Sequence, residues 1–94
     1  MRIAQVAPVF ESVPPRRHGG IERIVSYLTE ELVAAGHEVT LFATGDAVTS
    51  AELVSCAPQP VREYPQWVDP MAFHALQLKQ VMDREFDVVH FHIE

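Results

Sequence analysis

The sequence is poor in cysteine, in basic residues and in long apolar runs. Its 94 residues include a single cysteine, Cys56, which excludes an internal disulfide and a cysteine-based metal site. Lysine and arginine number 7 against 13 acidic residues, and the net charge of −6 argues against a nucleic-acid partner. No apolar run approaches the ~20 residues that a membrane-spanning helix needs. We therefore expect no nucleic-acid binding and no integral membrane span, and a cytoplasmic location fits these absences.

The length allows one small domain, residues 1–94. The N-terminal apolar run is interrupted by Pro8 before it reaches the length of a signal peptide, so we interpret it as a first strand. Three short apolar runs, at 2–7, 38–43 and 87–91, predict strands of a parallel sheet that is covered on both faces.

Two helices are predicted between these strands. The first carries one apolar stripe at helical spacing, formed by Ile21, Ile24, Val25, Leu28 and Leu32. Gly36 is placed to end this helix in a left-handed cap. The second helix is expected at roughly 70–84, with Asp69 as its N-cap and Pro70 in its first turn. Its apolar stripe is formed by Met71, Ala75, Leu78 and Met82.

The connection between the second strand and the second helix is long and rich in proline, and we expect a short strand near Val61–Tyr64 within it. The resulting order, β-α-β-(β)-α-β, predicts an α/β fold with a doubly wound parallel sheet and right-handed crossovers. Such folds bind ligands at the carboxyl ends of their strands. The sequence stops shortly after the last strand, and we therefore expect it to be a truncated piece of a larger domain.

A long loop joins the first strand to Gly19 and Gly20 at the start of the first helix. Glycines at a helix N-terminus let a phosphate approach the free N–H groups, but they also permit a tight start of the helix, and the spacing leaves both interpretations open. Eleven residues separate Ala7 from Gly19, so the dinucleotide-binding fingerprint is absent. A nicotinamide-dependent enzyme and a P-loop NTPase are both disfavoured.

Few residues form a catalytic pattern. His90 and His92 point to the same face of a strand, but a zinc site needs three or four ligands, so we expect no metal. A packed histidine pair and contact with a substrate are the alternatives, with His92 nearer the carboxyl end. Asp46 is expected in a turn, His74 in the core or at the surface, and Glu11 in the loop after the first strand. No nucleophile–base pair can be assigned.

Four segments together resemble the N-terminal part of retaining glycosyltransferases of family 4. They are Pro14-Pro15 followed by His18-Gly19-Gly20-Ile21-Glu22-Arg23, then Tyr27–Leu32, then Gly36–Ala43, and finally Phe86–His92. The resemblance covers essentially the whole chain, and the motifs occur in the expected order. His18 stands where relatives commonly have a tyrosine.

The resemblance implies a Rossmann-like domain, the incomplete first half of the acceptor-side domain of a two-domain GT-B enzyme. It implies that Gly19 and Gly20 offer backbone N–H groups to the diphosphate of a nucleotide sugar, and that Glu11, His18, His92 and Glu94 are candidate acceptor contacts. The donor-binding domain with its paired glutamates is absent from the sequence, so we expect the 94-residue chain to be inactive by itself. No cofactor is implied beyond the nucleotide-sugar substrate. A sugar-nucleotide epimerase fragment and a stand-alone binding module remain alternatives. An unpaired last strand predicts that the isolated chain dimerises through its edge.

Overall fold

The protein is an α/β fold built on one parallel sheet. The computed structural model describes residues 1–15, 19–66 and 68–92, with Arg62 described for its backbone only. The strands are β1 (Arg2–Val6), β2 (Glu38–Ala43), β3 (Glu52–Ser55) and β4 (Val88–Phe91). The helices are α1 (Gly20–Ala34) and α2 (Pro70–Met82), with a 3-10 helix at Val61–Glu63. All strand pairs are parallel and the order is β3-β2-β1-β4, which confirms the predicted class of fold.

The two helices cover opposite faces of the sheet. Side chains alternate along each strand, so both faces carry apolar residues that a helix can bury. On the face covered by α1, Val25 packs in a cluster with Ala7, Leu41 and Ala43. On the face covered by α2, Val81 packs with Ala4, Val6 and Phe42. We call these the α1 face and the α2 face.

The ends of both helices form as the sequence predicts. Gly36 has φ 94°, which is the left-handed conformation that favours glycine. The amides of Gly36 and His37 donate to the carbonyls of Val33 and Leu32, which satisfies two carbonyls of the last helical turn of α1. At the start of α2, the Asp69 carboxylate accepts a hydrogen bond from the Met71 amide at 3.0 Å.

The extra strand lies elsewhere than predicted. Residues 61–63 form a 3-10 helix closed by local bonds, such as that from the Glu63 amide to the Pro60 carbonyl. The strand that the sequence analysis did not predict is β3, which pairs with β2 from Thr40 to Ala43. It fits there because Leu53 packs on the α1-face cluster and Val54 on the α2-face cluster.

The predicted apolar stripe of α2 does not face the sheet. Met71, Leu78 and Met82 are exposed, with 74% of Met82 accessible to solvent, whereas Gln77 and Val81 are buried. The reason is that Gln77 reaches between two strands: its Nε2 donates to the carbonyls of Ala7 and Phe42. The side of α2 that faces the sheet is therefore the side that carries Gln77 and Val81.

No helix among residues 1–15, 19–66 and 68–92 is long and apolar enough to cross a membrane.

Candidate functional site

The polar groups of greatest interest lie on the α1 face, at the side of the sheet where the parallel strands end; we call this side the carboxyl edge. The strands are parallel, and α1 returns the chain from the end of β1 to the beginning of β2. The N-terminus of α1 therefore lies at the same edge as the ends of β1 and β4. This is the edge at which doubly wound folds bind ligands.

The two glycines at the start of α1 have different roles. Gly19 is the N-cap with φ 140°, and a Cβ added there would lie 2.7 Å from Glu22 Oε1 and 3.1 Å from Pro15 Cβ. Gly20 is the first helical residue, is exposed and has no atom of the described chain within 4 Å of an added Cβ. The backbone conformation explains the glycine at position 19, whereas neither the backbone nor a described neighbour requires a glycine at position 20.

Glu22 is a feature that the sequence pattern did not reveal. It belongs to the first turn of α1 and is only 2% exposed, although its side chain carries a carboxylate. A negative charge is favourable there because the helix dipole is positive at its N-terminus. An acidic residue three positions after an N-cap is the one available signal for such a role.

The His92 side chain is held by a buried glutamine. His92 Nε2 lies 2.6 Å from Oε1 of Gln5, a residue of β1 that is fully buried. Because an amide oxygen can only accept, Nε2 must carry the hydrogen. The Gln5 Nε2 group has no hydrogen-bond partner among the described residues. Sequence reasoning missed Gln5, and the signal was a polar residue in an otherwise apolar strand.

His90 and His92 share one face of β4 as predicted, with ring centroids 3.9 Å apart. Burial lowers the pKa of His92, and the nearby His90 lowers it further by charge repulsion. Both effects disfavour the charged imidazolium form of His92. In the described parts of the chain, no three histidine, cysteine or acidic residues cluster as metal ligands would.

An apolar cavity lies at the carboxyl ends of the strands on the α2 face. Its volume is about 510 Å³. Its walls are Val6, Pro8, Phe10, Pro70, Met71, His74, Gln77, Leu78 and Phe91. His74 is half-buried in this wall, tilted against Phe10 at 6.3 Å between ring centroids. The two faces of one edge therefore differ in chemistry, polar on the α1 side and apolar on the α2 side.

The other residues named in the sequence analysis take no part in the contacts described above. Glu11 is half-buried in the loop after β1. Asp46 lies in the predicted turn, which is closed by the Ala47 amide on the Thr44 carbonyl, and its carboxylate accepts from the Thr44 hydroxyl at 2.6 Å. Burial raises the pKa of the Cys56 thiol, so this residue is a weak nucleophile. His18 and Glu94 lie outside the described residues.

Comparison with known proteins agrees with the observed fold. The family model described as Glycosyltransferase Family 4 matches residues 18–94. Among solved structures, the chain is similar to the crystal structure of AviGT4, a glycosyltransferase involved in avilamycin A biosynthesis, with a TM-score of 0.65 and 27% sequence identity. That similarity covers 97% of this chain and 25% of the other, so the chain spans about a quarter of that enzyme's length. No curated protein sequence matches the chain.

Proposed function

The chain belongs to glycosyltransferase family 4, and on this premise we propose that it is the first part of an enzyme that transfers a sugar from a nucleotide sugar to an acceptor with retention. The complete enzyme has two domains of the GT-B type in this proposal, and this chain contributes to the acceptor-side domain. The proposal places the enzyme in the cytoplasm. It requires no cofactor beyond the nucleotide-sugar donor. The family match favours this reaction over a sugar-nucleotide epimerase.

One observation carries the proposal: α1 begins at Gly20, where an added Cβ would have no described atom within 4 Å apart from its chain neighbours and the helix backbone. The first N–H groups of a helix have no partner within the helix, and they point toward a ligand approaching that end. With the helix dipole they stabilise an anion, such as the diphosphate that leaves during sugar transfer. Gly20 has no side chain to obstruct this approach. Gly19 contributes by its left-handed conformation, which sets the direction in which the helix starts.

The acceptor is assigned to the same edge. His92, which follows β4, presents its imidazole there, and Glu11 lies in the loop that follows β1. His18 and Glu94 complete the proposed set of acceptor contacts.

The phosphate role can be tested on the isolated chain with pyrophosphate as the probe. We expect pyrophosphate to shift the amide NMR resonances of Gly20 and Ile21. Gly20→Val should weaken those shifts, because a branched side chain in the first turn restricts the approach of an anion to the helix N-terminus. Ala34→Val, at an exposed helical position at the opposite end of α1, is the matched control and should leave the shifts in place. Equal shifts in wild type and Gly20→Val would reject the proposed phosphate site.

The enzymatic part is tested in the source DNA. We expect the reading frame to continue past the codon for residue 94 for roughly 250 codons, one or two further domains, and to encode paired glutamates. The extended protein should transfer sugar, whereas the 94-residue chain should not. A stop codon at that position would refute the enzyme proposal and favour a stand-alone binding module.

We also propose that the isolated chain dimerises through β4. This strand is at the edge of the sheet and all four of its side chains are exposed, three of them apolar: Val88, Val89 and Phe91. The opposite edge strand, β3, carries the exposed ion pair of Glu52 with Arg84, and charged side chains at a sheet edge discourage pairing. We expect light scattering to report a dimer that Val89→Lys dissociates. Val48→Lys, in the β2–β3 connection, is the control and should remain dimeric. A monomer at all concentrations would count against the proposal.

A further inference from the structure

Gln5 is a buried polar residue without an evident packing role. It is fully buried in β1, between Ala4 and Val6, which are themselves in the core. Burying an amide is unfavourable unless hydrogen bonds replace those to water. The one hydrogen bond of its side chain within the described residues goes to His92. The position of Gln5 is therefore best explained by what it does to that imidazole.

The sheet register makes this contact specific. Gln5 is paired with His90 in the β1–β4 ladder, and its side chain reaches one step further along the same face to His92. The backbone of His92 is held as well, because its amide donates to the Val6 carbonyl at 2.9 Å. Both the backbone and one ring nitrogen of His92 are therefore anchored to β1.

This arrangement determines which nitrogen of the ring is available. The Gln5 oxygen accepts the Nε2 hydrogen, so the neutral ring has its lone pair on Nδ1. No described residue bonds to Nδ1. Nδ1 is then a hydrogen-bond acceptor at the carboxyl edge of the sheet, on the face where α1 begins.

We propose that Gln5 is a positioning residue for His92, which holds the imidazole as the Nε2–H tautomer so that Nδ1 accepts a hydrogen bond from a substrate hydroxyl. The identity of the ligand as a hydroxyl-bearing sugar or acceptor rests on the proposed function. The tautomer and its dependence on Gln5 do not. The lowered pKa of His92, caused by burial and by His90, acts in the same direction because it keeps the ring neutral.

The test uses the 94-residue chain with ¹⁵N-labelled histidine and reads the ring nitrogens by NMR. We expect His92 to carry a hydrogen on Nε2, and we expect this hydrogen to give a resonance because it exchanges slowly with water. We call it the protected resonance. The exposed His90 in the same spectra should lack this protection. Gln5→Leu should remove the protected resonance, because leucine fills similar space without an acceptor. Thr40→Val, a buried polar substitution in β2, is the control for general loosening and should retain it.

A second variant keeps the test decisive if Gln5→Leu does not fold. Gln5→Glu retains the shape and an acceptor but adds a negative charge, so the pKa of His92 should rise above its wild-type value. Three results would overturn the proposal: a hydrogen on His92 Nδ1, a protected resonance that persists in Gln5→Leu, or a pKa of His92 that is unchanged in Gln5→Glu. Absence of sugar transfer in the extended protein, with the expected NMR result, would reject the proposed function and leave the role of Gln5 standing.

Discussion

Alanine substitutions at the three glycines that flank or begin α1 (Gly19, Gly20 and Gly36) separate backbone strain from steric contact. Gly19 has both, since its φ is 140° and an added Cβ would lie 2.7 Å from Glu22 Oε1. Gly36 has a φ of 94° with nothing within 4 Å, and Gly20 has neither positive φ nor a close neighbour. Gly36→Ala therefore reports the effect of backbone strain on the free energy of unfolding, and its difference from Gly19→Ala reports the added steric contact.

The expected magnitudes follow from these geometries. Gly36→Ala should lower the stability by about 1–2 kcal/mol, the usual penalty for a Cβ in the left-handed region. Gly19→Ala should lower it by about 3 kcal/mol or slightly more, because displacement of the buried Glu22 adds to a strain of about 1–3 kcal/mol. Gly20→Ala should raise it by about 0.4–1 kcal/mol, since alanine reduces the entropy of the unfolded chain.

Thermal unfolding followed by circular dichroism measures this series. For a domain of this size, 1 kcal/mol corresponds to a change in Tm of roughly 4–8 °C. The expected order of Tm is Gly20→Ala, wild type, Gly36→Ala and Gly19→Ala, from highest to lowest. A Gly19→Ala protein as stable as Gly36→Ala would refute the steric role of Glu22. A Gly20→Ala protein less stable than wild type would refute the open space beside Gly20.

Three further predictions concern the core and the surface. Phe42→Ala, which empties the centre of the α2-face cluster, should lower the free energy of unfolding by about 3–5 kcal/mol, as measured by urea denaturation. Arg84→Ala removes an exposed ion pair with Glu52 and should leave the urea midpoint close to that of the wild type, because solvent screens the pair; a clear loss of stability would contradict its surface position. Burial raises the pKa of Glu30, but hydrogen bonds from Ser50 and Thr49 outweigh this effect and hold that pKa below 4.5. The contribution of Glu30 to stability is therefore present above pH 4.5, and it is lost as the pH falls through the lower pKa of the folded state. Glu30→Gln should therefore flatten the acid limb of the stability–pH curve, and an unchanged limb would contradict this assignment.

The elements with one strong pattern were predictable from the sequence. Helix α1 has both a regular apolar stripe and Gly36 at its end, and β2 was predicted with its observed bounds, Glu38–Ala43. Strand β3 was missed because it is four residues long and its two central apolar residues face opposite sides, which gives no alternation to detect. The orientation of α2 was missed because apolar residues occur around most of the helix, and a polar residue, Gln77, determines which side faces the sheet.

The candidate site was predictable where one element suffices and not where two meet. That His90 and His92 share a face follows from the alternation of side chains along a strand. The contact between His92 and Gln5 depends on the parallel register of β1 and β4, which joins residues 87 positions apart and leaves no trace in either segment alone. The different roles of Gly19 and Gly20 likewise depend on Glu22 folding back toward the N-cap.

The alternation along β1 also makes this strand intolerant of insertions and deletions. Gln5 points to the α1 face, whereas its neighbours Ala4 and Val6 belong to the α2-face cluster. Inserting or deleting one residue ahead of Gln5 would exchange the two sets, placing an amide in the apolar cluster and removing the anchor of His92. Changes of chain length should therefore be found in the loops between the elements, and a β1 of altered length would require a different way of holding the histidine.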